Sequence, residues 1–183
     1  MEIAARLSLG QHLQGLRQER GLSLSQLAGR AGIAKSNLSR LEQGQGNPTL
    51  DTLWRLAREL DTSFGSLVAP IATPVEEPGV SVTLIERSDA IPAVDAYLMH
   101  LAPNTLRRAE AHPTGTRETL QVIAGELEAG TSDTARILGA GDLHRFAADR
   151  PHHYRTRDNA ASVLVTVLYA TPGEHHEGAD THE

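Results

Sequence analysis

Cysteine is absent from the 183-residue chain, so disulfides, zinc–thiolate sites and thiol nucleophiles are excluded. Long apolar runs are absent too, because none approaches the roughly 18 residues that a membrane-spanning helix needs. The first twenty residues are amphipathic and lack the apolar core of a secretory signal peptide. We therefore expect a cytoplasmic protein with no membrane contact.

Positive charge is scarce overall, and it is unevenly distributed. The net charge of −6 argues weakly against a nucleic-acid partner. Residues 1–68, however, hold eight basic and six acidic side chains, whereas the remainder holds nine basic and seventeen acidic ones. This asymmetry indicates two parts with different tasks, which the charge of the whole chain conceals.

The first part of the chain has the apolar spacing of helices. Apolar residues recur at i, i+3 or i+4, and i+7 through residues 8–68. Ser23 and Thr49 stand at positions suited to helix N-caps. Glycines stand where helices should end: Gly21, Gly32 and Gly44. These signals predict five short helices that form an all-α domain over residues 1–68.

A different pattern follows this helical part. Residues 69–79 contain three prolines and no helical period, which predicts a semi-extended linker. The strand candidates beyond it are residues 80–86, 96–101, 119–124, 126–129, 135–138, 143–146 and 163–170. Many short strands between glycine turns predict an all-β sandwich or barrel over residues 80–172. The polar, acidic residues 173–183 are expected to form a disordered tail.

Residues 21–50 contain what a helix-turn-helix needs. Two helices that cross at about 90–120° require a small residue where they approach, and Ala28 provides it. Gly32 supplies the turn and Ile33 an apolar plug, while Leu38 and Leu41 are suited to burial. The remaining face of the second helix is polar throughout: Lys35, Ser36, Asn37, Ser39 and Arg40. Such side chains can donate hydrogen bonds to base edges or phosphates.

In spacing and residue type, residues 8–68 resemble the phage-repressor and Cro-like helix-turn-helix family, known as XRE. The resemblance implies a homodimer that binds a double-stranded DNA operator, with half-sites about 34 Å apart. The second helix of the motif, which is helix 3 of the five, would enter the major groove with its polar face. Gln26 would hydrogen-bond a phosphate, and Arg17 would touch a flanking phosphate. The alternative is a five-helix domain for protein contacts, in which the polar face of helix 3 is only solvated.

A second set of motifs lies in the β-rich part. It reads His112-Pro113-Thr114-Gly115-Thr116-Arg117-Glu118, then Gly125, then Gly141-Asp142, and ends with the segment from Phe146 to His152. Residues 80–170 thereby resemble the cupin superfamily, which implies a double-stranded β-helix jelly roll with a pocket between its sheets. His112, Glu118 and His152 match the family's ligand positions, whereas Thr114 stands where the family has another histidine.

The resemblance leaves two interpretations of the pocket. Two imidazoles and one carboxylate, from His112, Glu118 and His152, are able to form a facial triad for one divalent transition metal. With Thr114 in place of a ligand, we instead expect that no cofactor is retained and that the pocket binds a small-molecule effector. The expected pocket residues are Tyr97, His112, Thr114, Glu118, Phe146, His152 and Tyr154. Alternation along a strand places Tyr154 on the face of His152 and His153 on the other face.

Together these features predict a sequence-specific DNA-binding transcription regulator, not an enzyme, whose cupin domain binds an effector. One alternative is a metal-dependent oxygenase or epoxidase with an accessory helical domain, because some cupins fused to such helices have that activity. Another is an antitoxin-like repressor whose second domain binds a protein. The intact polar face of helix 3 favours the regulator, since an enzyme needs no surface that reads DNA.

Overall fold

The computed structural model describes residues 3–71, 73–88 and 90–170. The predicted tail, residues 173–183, lies outside the described residues. Five helices form the first part: α1 (Ile3–Glu19), α2 (Leu24–Arg30), α3 (Lys35–Glu42), α4 (Leu50–Glu59) and α5 (Phe64–Val68). The prediction of five helices is confirmed, although α1 begins before residue 8. Within the described ranges, no helix is long and apolar enough to cross a membrane.

Local sequence explains where the helices begin and end. Ser23 caps α2, since its hydroxyl accepts from the Gln26 N–H while the Gln26 side chain accepts from the Ser23 N–H. The hydroxyl of Thr49 caps α4. Gly21 and Gly32 follow α1 and α2 with φ values of 65° and 64°, which glycine adopts without steric cost.

The first four helices share one apolar core. Each contributes leucines that are at most 1% exposed: Leu13, Leu27, Leu38, Leu53 and Leu56. A fully buried leucine stabilises a fold by about 1.5–3 kcal/mol relative to an exposed one, so these contacts fix the helices to one another.

Ten strands form the second part: β1 (Val75–Glu77), β2 (Val80–Ser88), β3 (Val94–Leu101), β4 (Leu106–Ala109), β5 (Arg117–Ala124), β6 (Glu126–Thr131), β7 (Arg136–Gly139), β8 (Leu143–Ala147), β9 (His152–Arg155) and β10 (Ala161–Leu168). A six-stranded sheet has the order β1-β2-β3-β10-β5-β8, and a four-stranded sheet has the order β4-β9-β6-β7. Neighbouring strands are antiparallel, and alternate side chains are buried between the sheets. The all-β jelly roll that the motifs imply is confirmed.

The sequence prediction misses three of these strands. β1 lies within the segment predicted as a linker, so the linker prediction over residues 69–79 is wrong for β1. Val75 is buried there and pairs with Val82. β4 and β9 pair with each other, with Ala109 opposite His152. Both are short, and their buried faces carry polar side chains such as Arg107 and His152, which gives no apolar alternation to detect.

The helical part and the barrel are joined by a buried carboxylate. Asp95 of β3 accepts hydrogen bonds from the backbone N–H of Gly65 at 2.8 Å and from the hydroxyl of Ser63 at 3.3 Å. The hydroxyls of Tyr97 and Tyr169 donate to the same carboxylate, each at 2.7 Å. A Cβ at residue 65 would overlap the Asp95 carboxylate, so glycine permits this approach. α5 is thereby fixed to the sheet.

Candidate functional site

The polar face of α3 is presented to solvent. Its exposed side chains are Lys35, Ser36, Asn37 and Arg40. Leu38 lies on the opposite side and is fully buried, which fixes the orientation of the helix. Ser39 is half-buried, and its hydroxyl accepts from Gln43 Nε2 at 3.1 Å, so it lies at the margin of this face. The structure thus brings four of the five predicted groove residues onto one accessible surface.

Gln26 occupies an exposed position in the first turn of α2. Its Oε1 accepts from the Ser23 N–H at 2.9 Å, as the third residue of a capping box does. This contact orients the carboxamide, whose NH2 group is a hydrogen-bond donor. The side chain therefore combines a structural contact with the donor that a phosphate requires.

Arg17 does not lie where the sequence resemblance places it. Its side chain is buried, its Nε donates to Glu42 Oε1 at 2.6 Å, and its Nη2 donates to Glu42 Oε2 at 2.8 Å. Nη1 donates to the backbone oxygen of Leu22 at 2.7 Å. The hydrogen bond to Glu42 raises the pKa of Arg17 despite its burial. Arg17 is therefore not placed to contact a phosphate, because its donors are already bound inside the helical part.

A small cavity lies inside the barrel and opens toward the helices. It measures about 30 Å³, which holds one or two water molecules or a single ion. Its polar wall consists of Arg107, His112, Glu118, His152 and Tyr154. Its apolar wall consists of Leu50, Trp54, Phe64, Val82, Tyr97, Met99, Ala109, Val165 and Val167. The cavity is far smaller than the roughly 300–1,000 Å³ that drug-sized ligands occupy.

Three buried residues in this cavity could hold a metal ion, namely His112, Glu118 and His152. One ligand atom from each lies within 4.8 Å of the others. His112 Nε2 is 2.8 Å from Glu118 Oε1, and His152 Nε2 is 3.6 Å from the same oxygen. Among the described residues, His152 Nε2 has no hydrogen-bond partner. The three predicted residues are therefore brought together.

Surrounding groups orient these three side chains. His152 Nδ1 lies 2.9 Å from the backbone oxygen of Arg150, and it must carry the proton because a carbonyl only accepts. Nε2 of His152 is thereby turned toward the cavity. The hydroxyl of Tyr154 donates to Glu118 Oε2, which leaves Oε1 to face the two imidazoles. Such outer contacts are typical of ligand sets that bind metals.

The cluster shifts the protonation of its members. Burial alone would raise the pKa of Glu118, but the imidazoles of His112 and His152 outweigh burial and lower that pKa well below its usual range. Burial lowers the pKa of His112. Burial also opposes protonation of His152, yet the neighbouring Glu118 carboxylate raises its pKa overall. Glu118 is thus a buried anion.

The remaining predicted pocket residues divide into two groups. Tyr97 and Tyr154 line the cavity. Thr114 is exposed and lies in a groove on the outer surface, so its assignment to the pocket is corrected. Phe146 is buried against the His152 ring, with centroids 5.3 Å apart, and is not among the residues that line the cavity. His153 is half-buried on the other face of β9, where it contacts Glu128.

The sequence prediction misses the contribution of α4 to this cavity. The Trp54 indole stacks on the His112 imidazole, with centroids 3.8 Å apart and an angle of 22° between the rings. Phe64 of α5 stacks on the indole, with centroids 4.6 Å apart. Asp51 of α4 binds Arg107 Nη2 at 3.1 Å. Trp54 is the only tryptophan in the chain, but its helical spacing predicts core packing and does not identify what covers it.

Comparison with known proteins supports the two-part architecture. Residues 13–67 match the helix-turn-helix family, and residues 97–169 match the cupin domain family. The chain is 32% identical over 161 residues to the HTH-type transcriptional regulator SutR of Escherichia coli (strain K12), which covers 85% of this chain and 90% of SutR. It is 24% identical over 136 residues to the regulator PuuR of the same organism, which covers 74% of this chain and 67% of PuuR.

A solved structure has the same fold over almost the whole length. The crystal structure of an HTH_3 family transcriptional regulator from Vibrio cholerae superposes with a TM-score of 0.82, at 24% identity, and covers 92% of this chain and 99% of that one. The chain belongs to the HTH-type transcriptional regulators that carry a helix-turn-helix domain followed by a cupin domain.

Proposed function

We propose that this protein is a sequence-specific DNA-binding transcription regulator whose barrel binds a small-molecule effector. The observation that supports this proposal best is the exposed polar face of α3, which is fixed by the buried core of a helix-turn-helix. We expect the protein to act in the cytoplasm. We also expect a homodimer, because one helix-turn-helix unit reads only a few base pairs. Two units would then read half-sites about 34 Å apart.

The α3 side chains suggest a division of roles. Arg40 and Asn37 are suited to base edges, since arginine pairs with guanine and asparagine with adenine through two hydrogen bonds each. Lys35 and Ser36, in the first turn of α3, are suited to phosphates together with Gln26. The helical part has a small excess of positive charge, so we expect modest affinity for non-specific DNA.

The cavity supplies the effector site. It combines an apolar wall with a few polar groups that converge on one point, which is the usual composition of a small-molecule site. His112, Glu118 and His152 also fit one divalent transition metal, because two imidazoles and a carboxylate leave coordination positions for a ligand. Such a metal would supply a Lewis acid that binds an oxygen atom of the effector.

Selection of binding sites from random-sequence DNA tests the DNA-binding proposal. We expect the wild type to enrich a two-fold symmetric sequence, whereas Asn37→Ala and Arg40→Ala each weaken binding to that sequence by about 1–3 kcal/mol. Arg157→Ala is the matched control, because it removes the same charge as Arg40→Ala from an exposed position on the barrel. Equal binding by all three variants would exclude α3 as the recognition helix.

A metal-dependent enzyme is the second candidate function, and the cluster of His112, Glu118 and His152 is the observation that favours it. The two functions predict different roles for α3. In an enzyme, Arg40→Ala would leave turnover unchanged and no DNA sequence would be enriched. In a regulator, the same variant fails on DNA, and the purified protein turns over no substrate with or without added metal.

A further inference from the structure

We infer that the effector site is shared by the two domains, and that Trp54 of the DNA-binding domain is its displaceable wall. This inference rests on the proposed function, because it specifies how the barrel and the DNA-binding domain communicate. It adds to the cavity a residue that the cupin motifs do not contain. It also identifies the physical event by which an effector would act on α4.

The first argument is the position of the indole. Trp54 lies between the His112 imidazole and the Phe64 ring, in a stack with centroid separations of 3.8 Å and 4.6 Å. His112 also contacts the Glu118 carboxylate that converges with His152. The indole therefore lines the cavity itself and covers the polar end through its contact with His112.

The second argument is the available space. With the indole in place, the cavity retains about 30 Å³, enough for an ion or for one or two water molecules. An organic effector of even a few carbon atoms does not fit beside Trp54. Entry therefore requires a wall side chain to move, and among the lining residues Trp54 alone is half-buried, whereas the others are buried. An effector with a flat apolar body would take the place of the indole between His112 and Phe64.

The third argument concerns the chemistry of the ligand. The Glu118 carboxylate is a hydrogen-bond acceptor in the wall of this space. The flanking wall is apolar, through residues such as Leu50 and Met99. The ligand class that fits is a small planar apolar molecule that carries an N–H or O–H donor.

The fourth argument is the connection from Trp54 to the DNA-reading surface. Leu53 and Leu56 of α4 are fully buried in the core that also holds Leu38 of α3. Asp51, about one turn before Trp54, also connects α4 to the cavity, because it binds the lining residue Arg107. Because α4 is part of both the cavity wall and the helical core, displacement of Trp54 changes how the helical part is held against the barrel.

Replacement of the missing ring by free indole tests the inference on the full-length chain. Trp54→Ala removes the side chain and leaves a space of its shape beside His112. We expect this variant to bind one indole per chain by calorimetry, and we expect the wild type and Trp54→Phe to bind it much more weakly. We further expect operator affinity to change about fivefold or more in Trp54→Ala, and indole to restore it.

Two results would overturn the inference. One is a folded Trp54→Ala chain that binds no indole, and the other is indole binding that leaves operator affinity unchanged. Arg55→Ala is the control, because it breaks a contact between α4 and Glu110 outside the cavity and should not create an indole site. If Trp54→Ala does not fold, Trp54→Leu with pyrrole as the probe makes the same test.

The inference and the proposed function can fail separately. If the wild type enriches no DNA sequence, the proposed function fails. Indole binding by Trp54→Ala then still decides whether the DNA-binding domain forms a wall of the cavity. If the wild type binds its selected sequence but Trp54→Ala binds no indole, the regulator stands and the shared site is excluded.

Discussion

The guanidinium of Arg17 and the carboxylate of Glu42 form a two-point ion pair inside the helical part, with N–O distances of 2.6 Å and 2.8 Å. The pair joins α1 to the C-terminal end of α3. α3 carries the polar face that we assign to DNA, so Arg17 supports this face from behind. Its effect on DNA binding would then pass through the stability and position of α3.

Breaking this pair should destabilise the protein. We expect Arg17→Met or Glu42→Leu alone to lower the free energy of unfolding by about 3–5 kcal/mol, because each leaves an unpaired buried charge. The double variant should recover most of this loss, since two apolar side chains of similar volume can replace a buried pair. Urea unfolding of the four proteins measures the coupling. An Arg17→Met protein that is as stable as the wild type but binds DNA less tightly would indicate that Arg17 contacts a phosphate.

Gln26 allows the capping role and the phosphate role to be separated. Gln26→Glu should keep the capping box, because a carboxylate at this position also accepts from the Ser23 N–H. It should nevertheless weaken operator binding by about 1.5–3 kcal/mol, since the amide donor is lost and a negative charge faces the phosphate. Thermal unfolding and DNA titration provide the two readouts. Unchanged DNA affinity in a stable Gln26→Glu protein would remove Gln26 from the interface.

The two kinds of contact between the domains should differ in strength. Asp95→Ala leaves the buried donors of Gly65, Tyr97 and Tyr169 without their acceptor, and we expect a loss of about 3 kcal/mol or more. Glu110→Gln weakens only the exposed pair with Arg55, and we expect a loss below about 1 kcal/mol. Chemical denaturation of both variants makes the comparison. Equal losses would show that Asp95 does not hold the domains together.

The helical part of the fold could be predicted from the sequence because its signals are local. The N-caps Ser23 and Thr49 and the glycines after α1 and α2 lie beside the helices that they delimit. The apolar stripes also have the helical period. β9 could not be predicted in this way, because its buried side chains, His152 and Tyr154, belong to the polar wall of the cavity and give the strand no apolar alternation.

The candidate site could be predicted only in part, because motifs fix positions along the chain and not side-chain directions. His112, Glu118 and His152 converge as the motif implies. Thr114 does not, since it lies in a turn beside Gly115, whose φ is 79° and whose N–H is held by Asp149. Trp54 could not be assigned to the site at all, because its role depends on how α4 packs on the barrel.

Cobalt(II) titration tests whether the cavity can hold a metal. We expect the full-length wild type to bind one equivalent with the visible absorption of protein-coordinated cobalt, because His112, Glu118 and His152 form a two-imidazole, one-carboxylate ligand set. His152→Ala should lose this absorption. His153→Ala is the matched control, since it removes a neighbouring imidazole on the other face of β9, where it contacts Glu128. All three proteins share the C-terminal histidines, so any metal bound there contributes equally. Loss of the absorption in both variants would argue against a specific site, and its absence from the wild type would leave a cavity that binds the effector without a metal.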